Sequence, residues 1–268
     1  MSPYAIFMDI DGTLVGRSQV PSPATKAAIA KYRAAGHQFF IATGRALFSA
    51  RAMADRIGPG LNVICANGSV TQVAGETSGI RLGATELAGI YQVAKRFGAR
   101  ATLFTETGVV SLEDTPIAVS RDAAHRMAGE DPRRNRTVHS VQELCALAPD
   151  ITNGIIFHPD PSTLAQAKQA LGAYPGLDLS SSNFDNIEIT RHGINKASAI
   201  RQVCAQLAIP LRRTMAFGDG SNDLQMLTTV QYGVAMGNAN AEVLAATHYK
   251  TLDINHDGVA HYLNAFFK

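Results

Sequence analysis

The residues best equipped for chemistry are carboxylates set at the ends of short apolar runs. Asp9 and Asp11 follow the run 4–8 (YAIFM), and Gly218-Asp219-Gly220-Ser221-Asn222-Asp223 follows the run 214–217 (TMAF). An acidic pair joined by a distant Asp219 supplies hard oxygen ligands suited to Mg²⁺, an ion that keeps waters and a substrate phosphate as its other ligands. Thr43, Lys196 and Asn222 add a hydroxyl, a point positive charge and an amide. With backbone N–H groups near Gly12 and Gly44 they make a cradle for phosphate oxygens. In such a setting a carboxylate becomes a nucleophile once metal and lysine neutralise the phosphoryl charge. Asp11 is then the candidate acid and base, protonating a leaving alcohol and afterwards deprotonating the attacking water. Only one of the two neighbouring carboxylates is directly neutralised by the metal, so their pKa values are expected to separate.

These residues need elements that bring them to one place. The first third alternates strand and helix signals: apolar runs at 4–8, 38–42 (QFFIA) and 62–66 (NVICA) separate two helical stretches. Ser22-Pro23 reads as a capping hydroxyl followed by proline at the first helical position, and Gly36 as the stop. The second helix, 46–57, is closed by Gly58-Pro59-Gly60. This order implies a doubly wound, Rossmann-like α/β core with a parallel sheet, in which ligands bind beyond the carboxyl ends of the strands. From 82 to 188 the texture changes to helices at 85–97 and 162–171 among short strand candidates at 101–105, 108–112, 154–157 and 186–189. That is the pattern of an inserted α+β module with an antiparallel sheet. The last third returns to the first pattern, with an amphipathic helix over 195–207 that places Ala197, Ile200, Cys204 and Leu207 on one face. The domains expected are therefore 1–81 with 189–268 as the core and 82–188 as the insert.

Bulk properties exclude several classes. A formal charge of +2 is too small to argue for nucleic acid, and the one basic cluster, Arg133-Arg134-Asn135-Arg136, lacks interleaved aromatics and reads as a solvated face. No apolar run is long enough to span a bilayer and no basic leader precedes the first strand, so a cytoplasmic location without a membrane partner is expected. Cys65, Cys145 and Cys204 show neither zinc spacing nor the count of a disulfide framework. His37, His125, His139, His248 and His261 read as surface or loop residues. His158 and His192 either touch a substrate or serve the structure, and the polar loop 180–183 is a further pocket candidate.

Asp9-x-Asp11-Gly-Thr13, Thr43-Gly-Arg45, Lys196 and Gly218-Asp219-Gly-x-Asn222-Asp223, in that order, resemble the haloacid dehalogenase superfamily of phosphatases. The long insert resembles its C2-type cap, and its size and order suggest the Cof-type subfamily. The tail fits as well, with Gly233-Val234-Ala235-Met236-Gly237-Asn238-Ala239 and Asp257-Gly258-Val259, so the likeness covers nearly the whole chain. The resemblance implies Asp9 as nucleophile and metal ligand, and Asp11 as acid/base with its backbone carbonyl on the metal. Asp219 would be the third protein ligand, supported from behind by Asp223. Thr43, Lys196 and Asn222 would bind phosphate, with N–H groups from Gly12 and Gly44, while Arg45 and Asn67 either face the substrate or brace their loop. The cap would supply specificity toward a small phosphorylated metabolite and exclude water from the leaving group. The chain departs from the pattern at Ser221, where Glu is frequent, at Asn195-Lys196-Ala197 in place of Ser-Lys-Gly, and at Leu244, where Lys is frequent.

Three other readings compete. A signalling receiver domain also surrounds a phosphorylated Asp with carboxylates, Thr and Lys, but as a family carries an adjacent acidic pair and a phospho-acceptor on the third strand. Here the acids are spaced by one residue and no Asp ends strand three. A phosphomutase would use the same machinery, and a non-catalytic phosphometabolite sensor would retain the fold without the turnover that an intact nucleophile, acid and metal set implies.

Overall fold

The computed structural model describes residues 3–112, 135–181 and 184–268. His125, Arg133, Arg134, Ser182 and Asn183, singled out above, lie outside the described residues. The chain divides into two compact units, one of Met1–Gly44, Ala50–Thr77 and Asn195–Lys268, the other of Arg45–Ser49 and Ser78–Ile194. It opens with β1 (Ala5–Met8), α1 (Pro23–Ala34), β2 (Gln38–Ala42), α2 (Leu47–Ile57), β3 (Asn62–Cys65), β4 (Val70–Val73) and β5 (Glu76–Gly79). There follow α3 (Ala84–Phe97), β6 (Arg100–Phe104), β7 (Val109–Leu112), β8 (Asn135–Val138), α4 (Val141–Cys145), β9 (Asn153–Phe157), α5 (Pro161–Leu171), β10 (Leu177–Ser180) and β11 (Asn186–Arg191). The chain then returns through α6 (Lys196–Gln206), β12 (Thr214–Gly218), α7 (Leu224–Thr229), β13 (Tyr232–Ala235), α8 (Ala241–Ala246), β14 (Tyr249–Lys250) and α9 (Gly258–Phe266).

The first unit is built on an eight-stranded sheet in the order β14-β13-β12-β1-β2-β3-β4-β5. All pairs from β14 to β3 are parallel, and β3 with β4 is antiparallel. The four residues of β1 are all buried, as a strand covered on both faces requires. Phe7 stacks on Phe40 at 4.8 Å between ring centroids. One core cluster joins them to Ala42, Ile64 and Ala216, and to Ala199, Ile200, Val203 and Cys204 of α6. Burying side chains of this size stabilises by roughly 1.5–3 kcal/mol each, which fixes α6 across the sheet with its first residue, Lys196, toward the strand ends.

The hairpin β4–β5 is absent from the sequence expectation. Its turn, Ala74-Gly75, has φ of +52° and +89° and so performs the work that Asn-Gly usually signals, with a residue that announces nothing. The short strands β8, β10 and β14 were missed for a related reason: each is at most four residues long and carries little apolar pattern.

Among the described residues the second unit holds a six-stranded sheet, β10-β11-β9-β6-β7-β8, antiparallel except for the β7/β8 pair. Leu87, Ile90, Val93 and Ala94 of α3 bury against Leu103, Ile156, Ile187 and Ile189. A smaller cluster gathers Phe104, Val109, Ile155 and Phe157 with Ala46 of the segment Arg45–Ser49. The expected joint between 188 and 189 would cut β11, which pairs with β10 and β9 up to Arg191. The strand stays whole and the units part between Ile194 and Asn195. Among the described residues no helix is long and apolar enough to cross a membrane, and none of the three cysteines is in a disulfide.

Helix α6 begins with a capping box: Asn195 Oδ1 accepts from Ser198 N at 2.9 Å, and Ser198 Oγ accepts from Asn195 N at 3.0 Å. Asn195→Ala is expected to lower the unfolding free energy by about 1 kcal/mol, seen as a lower urea midpoint at unchanged m-value.

Candidate active site

Strand register brings the candidate residues to one edge. Ala5 aligns with Thr214 and Gln38, and Met8 with Phe217 and Ile41, so β1, β12 and β2 end together. Asp9 N donates to Phe217 O at 3.0 Å, continuing the ladder one residue further and carrying the Asp9 side chain to the end of the sheet. The chain then turns tightly: Ile10 O accepts from Thr13 N (3.3 Å), Leu14 N (2.9 Å) and Val15 N (2.9 Å). Gly12 is required there, since its φ is +89° and a Cβ would lie 2.1 Å from Asp219 Oδ2. Asp219, just past β12, accepts from Thr13 Oγ1 and Asn238 Nδ2, both at 3.3 Å.

Lys196 is the positive centre of this edge. It is 1% exposed, and Nζ donates to Asp9 Oδ1 at 2.8 Å and to Asp223 Oδ1 at 2.6 Å. Asp223 Oδ2 accepts from the backbone N–H groups of Asp219 (3.0 Å) and Gly220 (3.1 Å), so this carboxylate ties the β12 loop to the lysine. Oxygens of Asp9, Asp219 and Asp223 lie within 4.8 Å of one another. Three carboxylates around one ammonium leave an excess of two negative charges. Burial, then Asp223, pushes Asp9 well above the usual carboxylate range, against the pull of Lys196. Asp219 is raised to about 6, by burial first and then by Asp223. Burial alone would lower Lys196, but Asp223 and Asp9 more than offset it and hold the ammonium above its ordinary range. A divalent cation taking oxygens from Asp9 and Asp219 would neutralise this excess, so the donor set fits a hard metal ion.

The other expected residues divide between the units. Asp11 is exposed on its loop, and its Oδ1 accepts from Gln19 Nε2 at 3.0 Å. Thr43 is buried at the end of β2, its N donating to Ile64 O (2.9 Å) and its O accepting from Asn67 N (3.1 Å). Asn67 is itself buried, in the left-handed region at φ +51°, and packs against Gly44. Next to it Gly68 has φ +98°, and a Cβ there would lie 2.3 Å from Asn195 O, so the loop after β3 abuts the start of α6. Asn222 is half-buried and folds back over Gly220. Arg45 and His192 belong to the second unit. His192 is exposed there, Nδ1 2.9 Å from Asp178 Oδ1, while Gly193 N donates to Asp178 Oδ2 at 2.9 Å.

Two contributors escaped the sequence reading. Asn238 donates to Gly12 O (2.9 Å) and Asp219 Oδ2 and accepts from Ile254 N (2.9 Å), clipping three segments together. Its motif is visible in the sequence but its target is not. Gln19 carries no signal that would single it out. At the departure Ser221, Oγ donates to Glu242 Oε2 at 2.6 Å and accepts from Asn240 Nδ2 at 2.9 Å, so the carboxylate near that loop comes from α8. Leu244 packs against the core cluster.

A doubly wound sheet with an acidic, lysine-centred cluster at its strand ends and an inserted α+β unit defines a class of phosphoryl-handling hydrolases. Residues 6–263 match the family described as haloacid dehalogenase-like hydrolase, and the chain belongs to that family, as a phosphatase of its Cof type. It is 29% identical over 272 residues to the HMP-PP phosphatase of Cronobacter sakazakii, covering 95% of this chain and 92% of that one. A 5-amino-6-(5-phospho-D-ribitylamino)uracil phosphatase of Bacillus subtilis is 29% identical over 255 residues, with 95% and 92% covered. The pyridoxal phosphate phosphatase of Escherichia coli is 23% identical over 267 residues, with 98% of each covered. Among solved structures, a subclass IIB sugar phosphatase of the superfamily superposes with a TM-score of 0.84 at 25% identity, covering 98% and 99%. A haloacid dehalogenase-like hydrolase from B. subtilis superposes with a TM-score of 0.85 at 24%, with the same coverage.

Lys196→Met leaves two buried carboxylates without their cation and is expected to cost roughly 3–5 kcal/mol at pH 7.5. Asp9 is raised in the folded state, and removing Lys196 raises it further. Its contribution favours folding below the unfolded carboxylate pKa and is lost as pH rises through the folded one. The variant's deficit should therefore shrink at pH 5, as denaturant titrations at the two pH values would show.

Proposed function

We propose that the chain hydrolyses small phosphorylated metabolites, sugar phosphates or related phosphomonoesters, with Mg²⁺ and through an aspartyl-phosphate on Asp9. The observation that carries this reading is the buried Lys196 held between Asp9 and Asp223, with an oxygen of Asp219 within 4.8 Å of theirs. The three relatives described above support the substrate class, since the name of each specifies a small phosphorylated molecule.

Asp9, Asp219 and the Asp11 carbonyl would hold the ion, which when bound supplies positive charge to the phosphoryl oxygens. Lys196, Thr43 and Asn222, with the N–H group of Gly44, bind the remaining charge on phosphate; the N–H of Gly12, expected to join them, donates instead to Val15 O at 2.9 Å within its own loop. Lys196 also fixes one oxygen of Asp9, leaving the direction of attack to the other. In the first half-reaction an Asp9 oxygen bonds to phosphorus as the bond to the leaving oxygen breaks, and that oxygen takes the proton of Asp11. In the second, Asp11 takes a proton from water as the water oxygen bonds to phosphorus. The bond to Asp9 breaks, releasing phosphate and restoring both carboxyl groups. Asp223 holds Lys196 and the β12 loop without touching phosphorus.

Phosphate release from a panel of phosphorylated metabolites, with Mg²⁺ and with chelator, tests the reading. Release is expected to need metal and to fall more than about 10³-fold in Asp9→Asn, as for a lost nucleophile. A variant retaining a tenth of the wild-type rate would overturn the nucleophile assignment. No release, with phosphate moved between positions of one substrate, would favour a mutase.

Cation binding also competes with protons. Asp219 stands at about 6 against its unfolded value of 3.8, so without metal its contribution favours folding below the unfolded value and is lost as pH rises through 6. Mg²⁺ needs the ionised form. The rise in Tm on adding Mg²⁺ is therefore expected to be larger at pH 7.5 than at pH 5, by differential scanning fluorimetry.

A further inference from the structure

The oxygens proposed to hold the cation come from two loops far apart in the chain, one after β1 with Asp9 and the Asp11 carbonyl, the other after β12 with Asp219. Mg²⁺ demands near-ideal geometry, so such a site binds well only where the two loops are held at a fixed separation. The Nζ bonds of Lys196 go to Asp9 and Asp223. The Asp219 carboxylate is held by neutral donors, Thr13 Oγ1 on Oδ1 and Asn238 Nδ2 on Oδ2, both at 3.3 Å. A neutral donor orients the carboxylate without adding positive charge that would repel an arriving cation.

Asn238, in the turn after β13, does more than orient one oxygen. Its Nδ2 also donates to Gly12 O at 2.9 Å, so the two hydrogens of one amide join the first loop to Asp219. Its Oδ1 accepts from Ile254 N at 2.9 Å, which fixes the way the amide faces. Reversed, it would set NH₂ against an N–H and a carbonyl against two oxygens. The turn is pinned through its backbone as well, with Gly237 N donating to Leu252 O at 3.1 Å and Asn240 N to Asp219 O at 3.0 Å. The Asn238 side chain is exposed, so the core does not depend on its packing.

Resting on the reading of Asp9 and Asp219 as ligands of a divalent cation, we propose that Asn238 is a positioning residue that sets the affinity of that site. It does so by holding the Asp219 carboxylate against the loop that carries Asp9. In this role it ligates nothing and transfers no proton.

Mg²⁺ binding to the full chain without substrate, by calorimetry at pH 7.5, tests this. Asn238→Ala is expected to weaken binding about 10-fold, the low end for losing a group that orients a metal ligand. The Mg²⁺ needed for half-maximal phosphate release should rise by the same factor, while kcat at saturating Mg²⁺ returns to within about 2-fold of wild type. Asn238→Ser, whose one hydroxyl hydrogen cannot serve both acceptors, should weaken binding too, and it carries the test if the alanine variant does not fold. Asn240→Ala is the structural control. It removes side-chain bonds to Val243 N and Ser221 Oγ, the first of them the cap of α8, and keeps the backbone bond to Asp219. Its Tm should fall while its Mg²⁺ affinity stays within about 2-fold. Unchanged affinity in both Asn238 variants, or an equal loss in Asn240→Ala, would overturn the inference. Asp219→Asn separates the two levels. If it loses Mg²⁺ and the Asn238 variants do not, only the role of Asn238 is removed. If it binds as wild type does, or if wild type binds no Mg²⁺, the ligand assignment fails and this inference with it.

Discussion

Lys196 places an ammonium in the interior between Asp9 and Asp223, and much else in the first unit can be traced to keeping it there. A buried charge is tolerated only when its partners are close and its remaining hydrogen-bonding capacity is used. The partners here are supplied from opposite ends of the core: one carboxylate from the end of β1, the other from the loop after β12. The arrangement overcompensates, since with Asp219 the carboxylates outnumber the ammonium. That surplus makes the edge of the sheet attractive to cations and to protons alike.

Such an arrangement requires close approach of backbones rather than long reaches of side chains. Gly12 lets the first loop lie against the Asp219 carboxylate, and Gly68 lets the loop after β3 lie against Asn195. Asn195 in turn caps the helix whose first residue is the lysine. Register, cap and glycine contacts therefore act on the same few atoms, and the aliphatic face of α6 anchors the whole against Phe7 and Phe40. The lysine gains nothing from the helix dipole at this end, so its position is set by the carboxylates and the packing of the helix behind it.

Much of this was legible in the sequence because period and punctuation agreed. The strands ending at Met8 and Ala42 are unbroken apolar runs, and Ser22-Pro23 marks a helix start that the structure repeats, with Ser22 Oγ accepting from Thr25 N at 3.0 Å. The hairpin after β3 was not legible because Ala74 adopts a conformation its side chain does not advertise. The acidic cluster could be anticipated because carboxylates, a threonine and a lysine at several strand and helix ends agree on one chemistry, though any one of them alone reads as a turn residue. What could not be read is how side chains turn once there. Nothing in the residue types says that Asp223 faces the lysine and two backbone amides, that Asn238 clips Gly12 to Asp219, or that Ser221 meets Glu242. The second unit was legible as a unit but not in its joints, because β11 ends in polar residues that resemble a linker until their pairing with β10 is seen.

The insertion that separates β1 from its neighbour also sets a timetable. Lys196 lies 187 residues beyond Asp9 in the chain, and Thr13 bonds to a carboxylate 206 residues away. At a synthesis rate of about 5–20 residues per second, β1 emerges from the ribosome roughly 10–40 s before its partner β12 exists. During that interval a fully apolar strand has one edge without its native mate, the condition under which non-native pairing and aggregation compete with folding. The second unit is complete by Ile194, before either the lysine or β12 is made. In a cell the insert is thus finished while the core that frames it is still open.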